Sequence, residues 1–310
     1  RKPCSTCLKK GSNMGSVITT EDTDEWRNAR KRALTQPYES PALPAASGYA
    51  TKKSCQTTYR CTKARVINLK ERNLDMLKND LILRNPLRLM GHENEAIVPQ
   101  GGFGAVLARA GVGKTALIVQ VALNTMLQQK NVLHVSLDDP VDKVNLWYQE
   151  VLNSLAHQYH VRQIKELWES IQMHRLIMTF KVEGFSVPKL EERREGHACR
   201  SIFNPHMVII DGLPFDERLR APLEGLKAFC ENHCLHLWFT VTTHRHEAPG
   251  ADGLPVQLES VADLFDAAIQ LQPEGKKIHI RCLKGGPEDA KICDQLLDPS
   301  TMLIQDLKSV

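Results

Sequence analysis

Ala108-Arg109-Ala110-Gly111-Val112-Gly113-Lys114-Thr115 stands between the apolar run Ala105-Val106-Leu107 and the helix-forming segment Ala116 to Leu127, and it decides how the chain is read. A buried strand, a glycine-containing loop ending in Gly-Lys-Thr and a helix form the context in which a phosphate-binding loop works. Gly111 and Gly113 let backbone N–H groups come close to an anion at the positive end of the helix. Lys114 would reach the β- and γ-phosphates, and the Thr115 hydroxyl would ligate Mg²⁺. Arg109, Ala110, Val112 and Ala116 complete the expected cradle. Ala108 replaces the first glycine of the common pattern, and alanine is the smallest replacement. A plain turn between strand and helix accounts for the glycines, but not for the Lys-Thr pair that follows them. ATP with Mg²⁺ is the expected ligand.

The chain has 310 residues, of which 42% are hydrophobic and 25% charged, the composition of an ordinary globular protein. No apolar run is long enough to span a bilayer, and the start does not read as a secretion signal. A cytoplasmic protein with no membrane partner is expected. The net charge of +4 is unevenly spread. Residues 1–80 carry 16 Lys plus Arg against 8 Asp plus Glu, so the other 230 residues are slightly acidic. Nine cysteines without an export signal read as reduced thiols. Cys4-x-x-Cys7 with Cys55 and Cys61 has the makings of a four-thiolate zinc site, but the second pair is too widely spaced. Cys230 and Cys234, near a helix end, read as core or surface thiols.

Residues 1–73 lack periodicity and are rich in Ser, Thr, Pro, Lys and Arg, which predicts a basic, disordered arm. Residues 74–310 form the expected folded domain, an α/β unit with a mostly parallel sheet, helices on both faces and a terminal antiparallel hairpin. Its strands are expected over 131–137, 175–182, 206–211 and 236–244. The terminal pair is expected over 267–271 and 277–283, separated by Pro273-Glu274-Gly275.

Met207-Val208-Ile209-Ile210-Asp211 is a strand of four apolar residues ending in an acid. Ligands of parallel sheets sit at the carboxyl ends of strands, so Asp211 is expected beside Thr115, sharing the Mg²⁺. Asp138 and Asp139 end the strand that follows the loop's helix, where a carboxylate can orient water or take its proton. Asp139, just before Pro140, also reads as a helix N-cap.

In this order of parts the chain resembles the RecA-like P-loop ATPases, in particular the branch containing KaiC and the RadA-related proteins. The resemblance covers about Asn85 to Ile304 and rests on ARAGVGKTAL (108–117), VLHVSLDDP (132–140), MVIIDG (207–212), WFTVTTH (238–244) and VADLFDAAIQL (261–271). It implies an acidic pair at the catalytic position, commonly two glutamates, met here by Asp138-Asp139. It implies a polar γ-phosphate sensor at Thr242, Thr243 or His244, with Thr243 the favoured one. It also implies a homo-oligomer with nucleotide at subunit interfaces, reached by a Lys-x-Arg pair from the late hairpin. Lys284 matches that lysine, but Gly286 stands in the arginine's place, so an arginine finger would have to come from Arg245 or Arg281.

Two functions follow. One is Mg²⁺-dependent ATP hydrolysis coupled to assembly or a change of shape; the other is a nucleotide-gated regulatory module with little or no hydrolysis. A small-molecule kinase, for which EERREGHACR (191–200) is the only candidate for an arginine-rich lid, ranks last because the strand ending at Asp138 and the terminal hairpin fit the RecA-like plan better. Nucleic acid has only the basic arm to recommend it, since the loop at 245–256 interleaves no aromatic residue with its basic ones.

Overall fold

The computed structural model describes residues 72–306, apart from 86, 88–96, 187, 191, 193–202, 217, 245–246, 248–249, 251–252 and 286–294. The cysteines of the expected zinc site, Arg245, Gly286 and most of the segment 191–200 lie outside the described residues. Helix α1 (residues 72–84) opens the described part. It is followed by β1 (Phe103–Ala108), α2 (Lys114–Leu127), β2 (Val132–Ser136), α3 (Val141–Gln158), α4 (Ile164–Ile171) and β3 (Arg175–Thr179). Then come β4 (Met207–Asp211), α5 (Arg220–His233), β5 (His236–Thr242), α6 (Val256–Glu259) and strands β6 (Ala267–Glu274) to β7 (Lys277–Lys284). Two short strands, β8 (Gln295–Leu297) and β9 (Ile304–Asp306), finish the sheet.

Among the described residues nine strands form one sheet, in the order β3-β2-β4-β5-β1-β6-β7-β8-β9. The first six are parallel and the last three join antiparallel, so the sheet is mixed but mostly parallel. Strands β1, β2, β4 and β5 are almost entirely buried, as expected where helices cover both faces. Alternation divides their side chains. Val106, Val132, Ile209 and Trp238 face a core shared with α1, α2, α3 and α4. Leu107, Leu133, Ile210 and Phe239 face a second core beneath α5 and α6. Helix α2 is buried nearly all round, from Ala116 to Leu123 and again at Met126 and Leu127. That is why its sequence is apolar without a clear stripe.

Several expectations need correction. Pro273 does not begin the late turn; it lies in β6 opposite Ile278, and the turn is Gly275-Lys276. The reason is local: β1 pairs with β6 only as far as Gln270, so a proline lacking its N–H disrupts no bond on that side. The strands β8 and β9, three residues each, were too short to show a period. Asp139 is no N-cap: Pro140 occupies that position, without a side-chain cap. The Asp139 carboxylate instead accepts from Lys143 at 2.7 Å.

Four histidines bear on how the fold responds to acid. Burial holds His134, His174, His206 and His236 below the ordinary range, His206 near 4 and His134 near 3. His236 donates from Nδ1 to the Val98 carbonyl (2.7 Å) and meets His206 Nε2 through its own Nε2 (3.1 Å). Between the unfolded-state value of about 6.5 and these lowered values, the unfolded chain binds more protons than the folded one. Stability therefore rises with pH across that window and is lost as pH falls through it. At pH 5 the protonation of His134 in the unfolded chain alone costs about 2 kcal/mol. The melting temperature should fall by several degrees between pH 7 and pH 5; an unchanged or higher value at pH 5 would contradict the assignment of neutral buried rings.

Candidate functional site

The site forms where the carboxyl ends of β1, β2, β4 and β5 meet the first turn of α2. The loop after β1 turns on Gly111 (φ 76°) and Gly113 (φ 108°), backbone that residues with a Cβ rarely adopt. Around Gly111 a Cβ would find open space, so the loop there stands clear of the protein. Gly113 caps α2 without any side-chain bond, and no acid occupies the helix's first turn. The N–H groups at the start of a helix have no partner within it. Those of α2 thus face the site with neither a cap nor a neighbouring negative charge in the first turn, which suits an anion.

Lys114 curls back over this loop. Its Nζ donates to the carbonyls of Ala108 (3.2 Å) and Arg109 (3.3 Å). Desolvation lowers its pKa, while Asp211 and Asp138 act in the opposite direction. Among the described residues the Arg109 guanidinium has no hydrogen-bond or ion-pair partner, and Ala110 is exposed. Val112 packs partly against the core and its N–H donates to the Arg109 carbonyl (3.3 Å). Ala116, one turn into α2, is buried.

Thr115 and Asp211, 96 positions apart, meet: Thr115 Oγ1 donates to Asp211 Oδ2 at 3.3 Å. The sheet register explains the meeting. Asp211 stands opposite Ser136 on β2 and continues the odd-numbered face of Met207 and Ile209, the face that α2 covers. Asp211 is mostly buried, and that desolvation raises its carboxyl above the ordinary value against the hydrogen bonds from Thr240 and Thr115. Thr240 on β5, between β1 and β4, was missed by the sequence reading; its hydroxyl donates to Asp211 Oδ1 at 2.5 Å. The signal was a lone threonine at a buried position of the apolar strand Leu237-Trp238-Phe239-Thr240-Val241.

The two acids after β2 part company. A Cβ on Gly212 would lie 2.6 Å from Asp138 Oδ2, so the Asp138 carboxylate lies against the backbone that follows Asp211. Gly212 needs to be glycine for that contact and for its φ of 88°. Burial, then Asp211, then Asp139 raise the Asp138 carboxyl. Asp139 points instead to Lys143, and its N–H is held by Ser136 Oγ (3.0 Å). Thr243 reaches the same rim, its N–H donating to the Ala108 carbonyl (3.0 Å). Lys284 does not. It pairs with Ala268 at the opposite, amino-terminal edge of the parallel strands, and its Nζ donates to the Ala262 carbonyl (2.8 Å).

No protein-family model matches this chain, and no curated protein matches it either. The chemistry of the site has to be read from its own residues.

Among the described residues no group of three or more His, Cys, Asp and Glu is placed to hold a metal by itself. Mg²⁺ at phosphates usually takes only one or two protein oxygens, the rest coming from phosphate and water. A threonine hydroxyl and a carboxylate converging beside an uncapped helix start fit that requirement. Also among the described residues, no helix is long and apolar enough to cross a membrane.

Proposed function

We propose that the chain is a P-loop ATPase of the RecA/KaiC-like type that binds ATP with Mg²⁺ on residues 108–116. The reading rests on one observation above the others: Thr115 and Asp211 meet beside Lys114 at a helix start carrying no cap. The phosphates would lie against the N–H groups of the loop and of the first turn of α2, with Lys114 leaving its two carbonyls to meet them. Thr115 and Asp211 would hold the metal, which when bound neutralises phosphate charge.

Asp138 is the favoured base. Its carboxylate lies on the site side, against Gly212, and its raised pKa suits a group that takes a proton from water. Asp139 is engaged with Lys143 and would act on the loop's position rather than on water. The two assignments separate in single-turnover hydrolysis. Asp138→Asn should lower the rate about a hundredfold or more with ATP affinity within a few-fold of the parent. Asp139→Asn should stay within about tenfold of the parent rate. A reversed order would transfer the role to Asp139.

A nucleotide-gated module with little hydrolysis is the second reading, and the cations of β7 favour it. Arg281, a candidate finger, is paired with Glu274 at 2.8 Å, and Lys284 lies at the far edge from its own loop. Lys284 could meet only the nucleotide of a neighbouring subunit, as the resemblance implies for an oligomer. An arginine finger is worth several powers of ten in rate, so its lack would leave a slow enzyme. Turnover and mass in solution, each with and without ATP and Mg²⁺, discriminate the two readings.

A further inference from the structure

A buried polar chain runs from the site into the body of the domain, and neither the phosphate loop nor the acids use it. His134, on β2, is fully buried on the same sheet face as Asp211 and Thr240. Its Nε2 has no hydrogen-bond partner and stands 3.8 Å from Asp211 Oδ2. Its Nδ1 lies 3.1 Å from the hydroxyl of Tyr148, itself fully buried on α3. The Arg175 guanidinium covers the Tyr148 ring at 4.3 Å and is fixed by Asn145 at 2.6 Å.

This arrangement selects one form of the imidazole. A bare Nε2 would point a lone pair at a carboxylate oxygen, which is repulsive. With the proton on Nε2, Nδ1 is free to accept from the Tyr148 hydroxyl, and both rings are served. His134 then presents an N–H to Asp211 across a gap slightly too long for a hydrogen bond. Burying a donor without an acceptor is costly, and an apolar side chain at this position would avoid that cost. The gap exists while Asp211 Oδ2 is engaged by the Thr115 hydroxyl. Drawing Thr115 onto a metal releases that oxygen.

We propose that His134 is a positioning residue for the metal-holding carboxylate: its Nε2–H, oriented by Tyr148, fixes Asp211 when Thr115 turns to Mg²⁺. The inference rests on the nucleotide-site reading above. Partners of this kind orient the groups that ligate metals, and losing one typically costs ten- to a hundredfold in metal affinity. The role belongs to the neutral ring and calls for no change of its charge.

The test measures Mn²⁺ affinity by electron paramagnetic resonance in the full chain, with a non-hydrolysable ATP analogue, beside analogue affinity in EDTA. His134→Leu should weaken Mn²⁺ at least tenfold and leave metal-free analogue affinity within twofold. His134→Gln, whose amide can offer an N–H from a similar place, should recover most of the loss. Tyr148→Phe removes only the hydroxyl and should weaken Mn²⁺ several-fold; it decides the matter if His134→Leu does not fold. Parental Mn²⁺ affinity in His134→Leu, or in Tyr148→Phe when the leucine variant does not fold, overturns the proposal while the nucleotide site stands. Equal loss of Mn²⁺ and metal-free analogue binding also overturns it, since that marks general damage. A parent chain that binds no analogue overturns both readings.

Discussion

Replacing Lys114 with alanine should lower ATP affinity by about a hundredfold or more while the domain stays folded. In the present conformation the ammonium makes two long hydrogen bonds to loop carbonyls, 3.2 and 3.3 Å. Such bonds between partly exposed groups contribute little, and losing them should cost the fold no more than about 1–2 kcal/mol. Against phosphate the same ammonium would make charge-assisted bonds worth roughly 1.5–3 kcal/mol each, and two of them account for a hundredfold or more. A second consequence is electrostatic. Lys114 opposes the rise in the carboxyls of Asp138 and Asp211. Without it both should bind protons more readily, and since Asp211 must be ionised to hold the metal, residual Mg²⁺-dependent nucleotide binding should shift toward higher pH. Calorimetric titration with circular dichroism as the control for folding checks this. Undiminished affinity in a folded Lys114→Ala chain would remove the phosphate-loop assignment.

The parts of this site that were legible in the sequence are those fixed by local order. Gly113, Lys114 and Thr115 sit together in the chain, and a strand ending in Asp211 declares its own carboxyl end. Helix α3 repeats its buried positions at Val144, Tyr148, Val151, Leu152 and Leu155, a spacing of the kind that local sequence carries. Thr240 and His134 were not legible as site residues, since their nearness to Asp211 depends on strand order. Neither β5 nor β2 reveals from its own pattern that β4 lies between them. Asp138 and Asp139 were legible as a pair but not as two roles. What divides them is a close approach to the backbone at Gly212 and a lysine one helical turn ahead.

Asp211→Asn should abolish the Mg²⁺ dependence of nucleotide binding and, in the ligand-free protein, raise the melting temperature at pH 7. The first effect follows from charge: an amide oxygen is a weaker partner for a hard cation than a carboxylate, and Thr115 alone would remain. The second follows from burial. Desolvation is the largest influence on Asp211 and raises its carboxyl above the usual carboxylate value. Between the unfolded and the folded pKa the folded state binds the extra proton, so this group's contribution falls as pH rises through that window. By pH 7 the full cost of holding it ionised is present. Asparagine keeps the size and can still accept from Thr240 Oγ1, now 2.5 Å from Oδ1, while removing the buried charge. It also removes a negative neighbour that helps raise Asp138. Metal-holding carboxylates are commonly kept at such a cost to the empty protein. Thermal melts should therefore cross over: the variant melts higher alone, and the parent gains more when ATP and Mg²⁺ are added together. If the variant melts lower alone and still gains stability from Mg²⁺ with ATP, Asp211 is a structural carboxylate and the metal is held elsewhere.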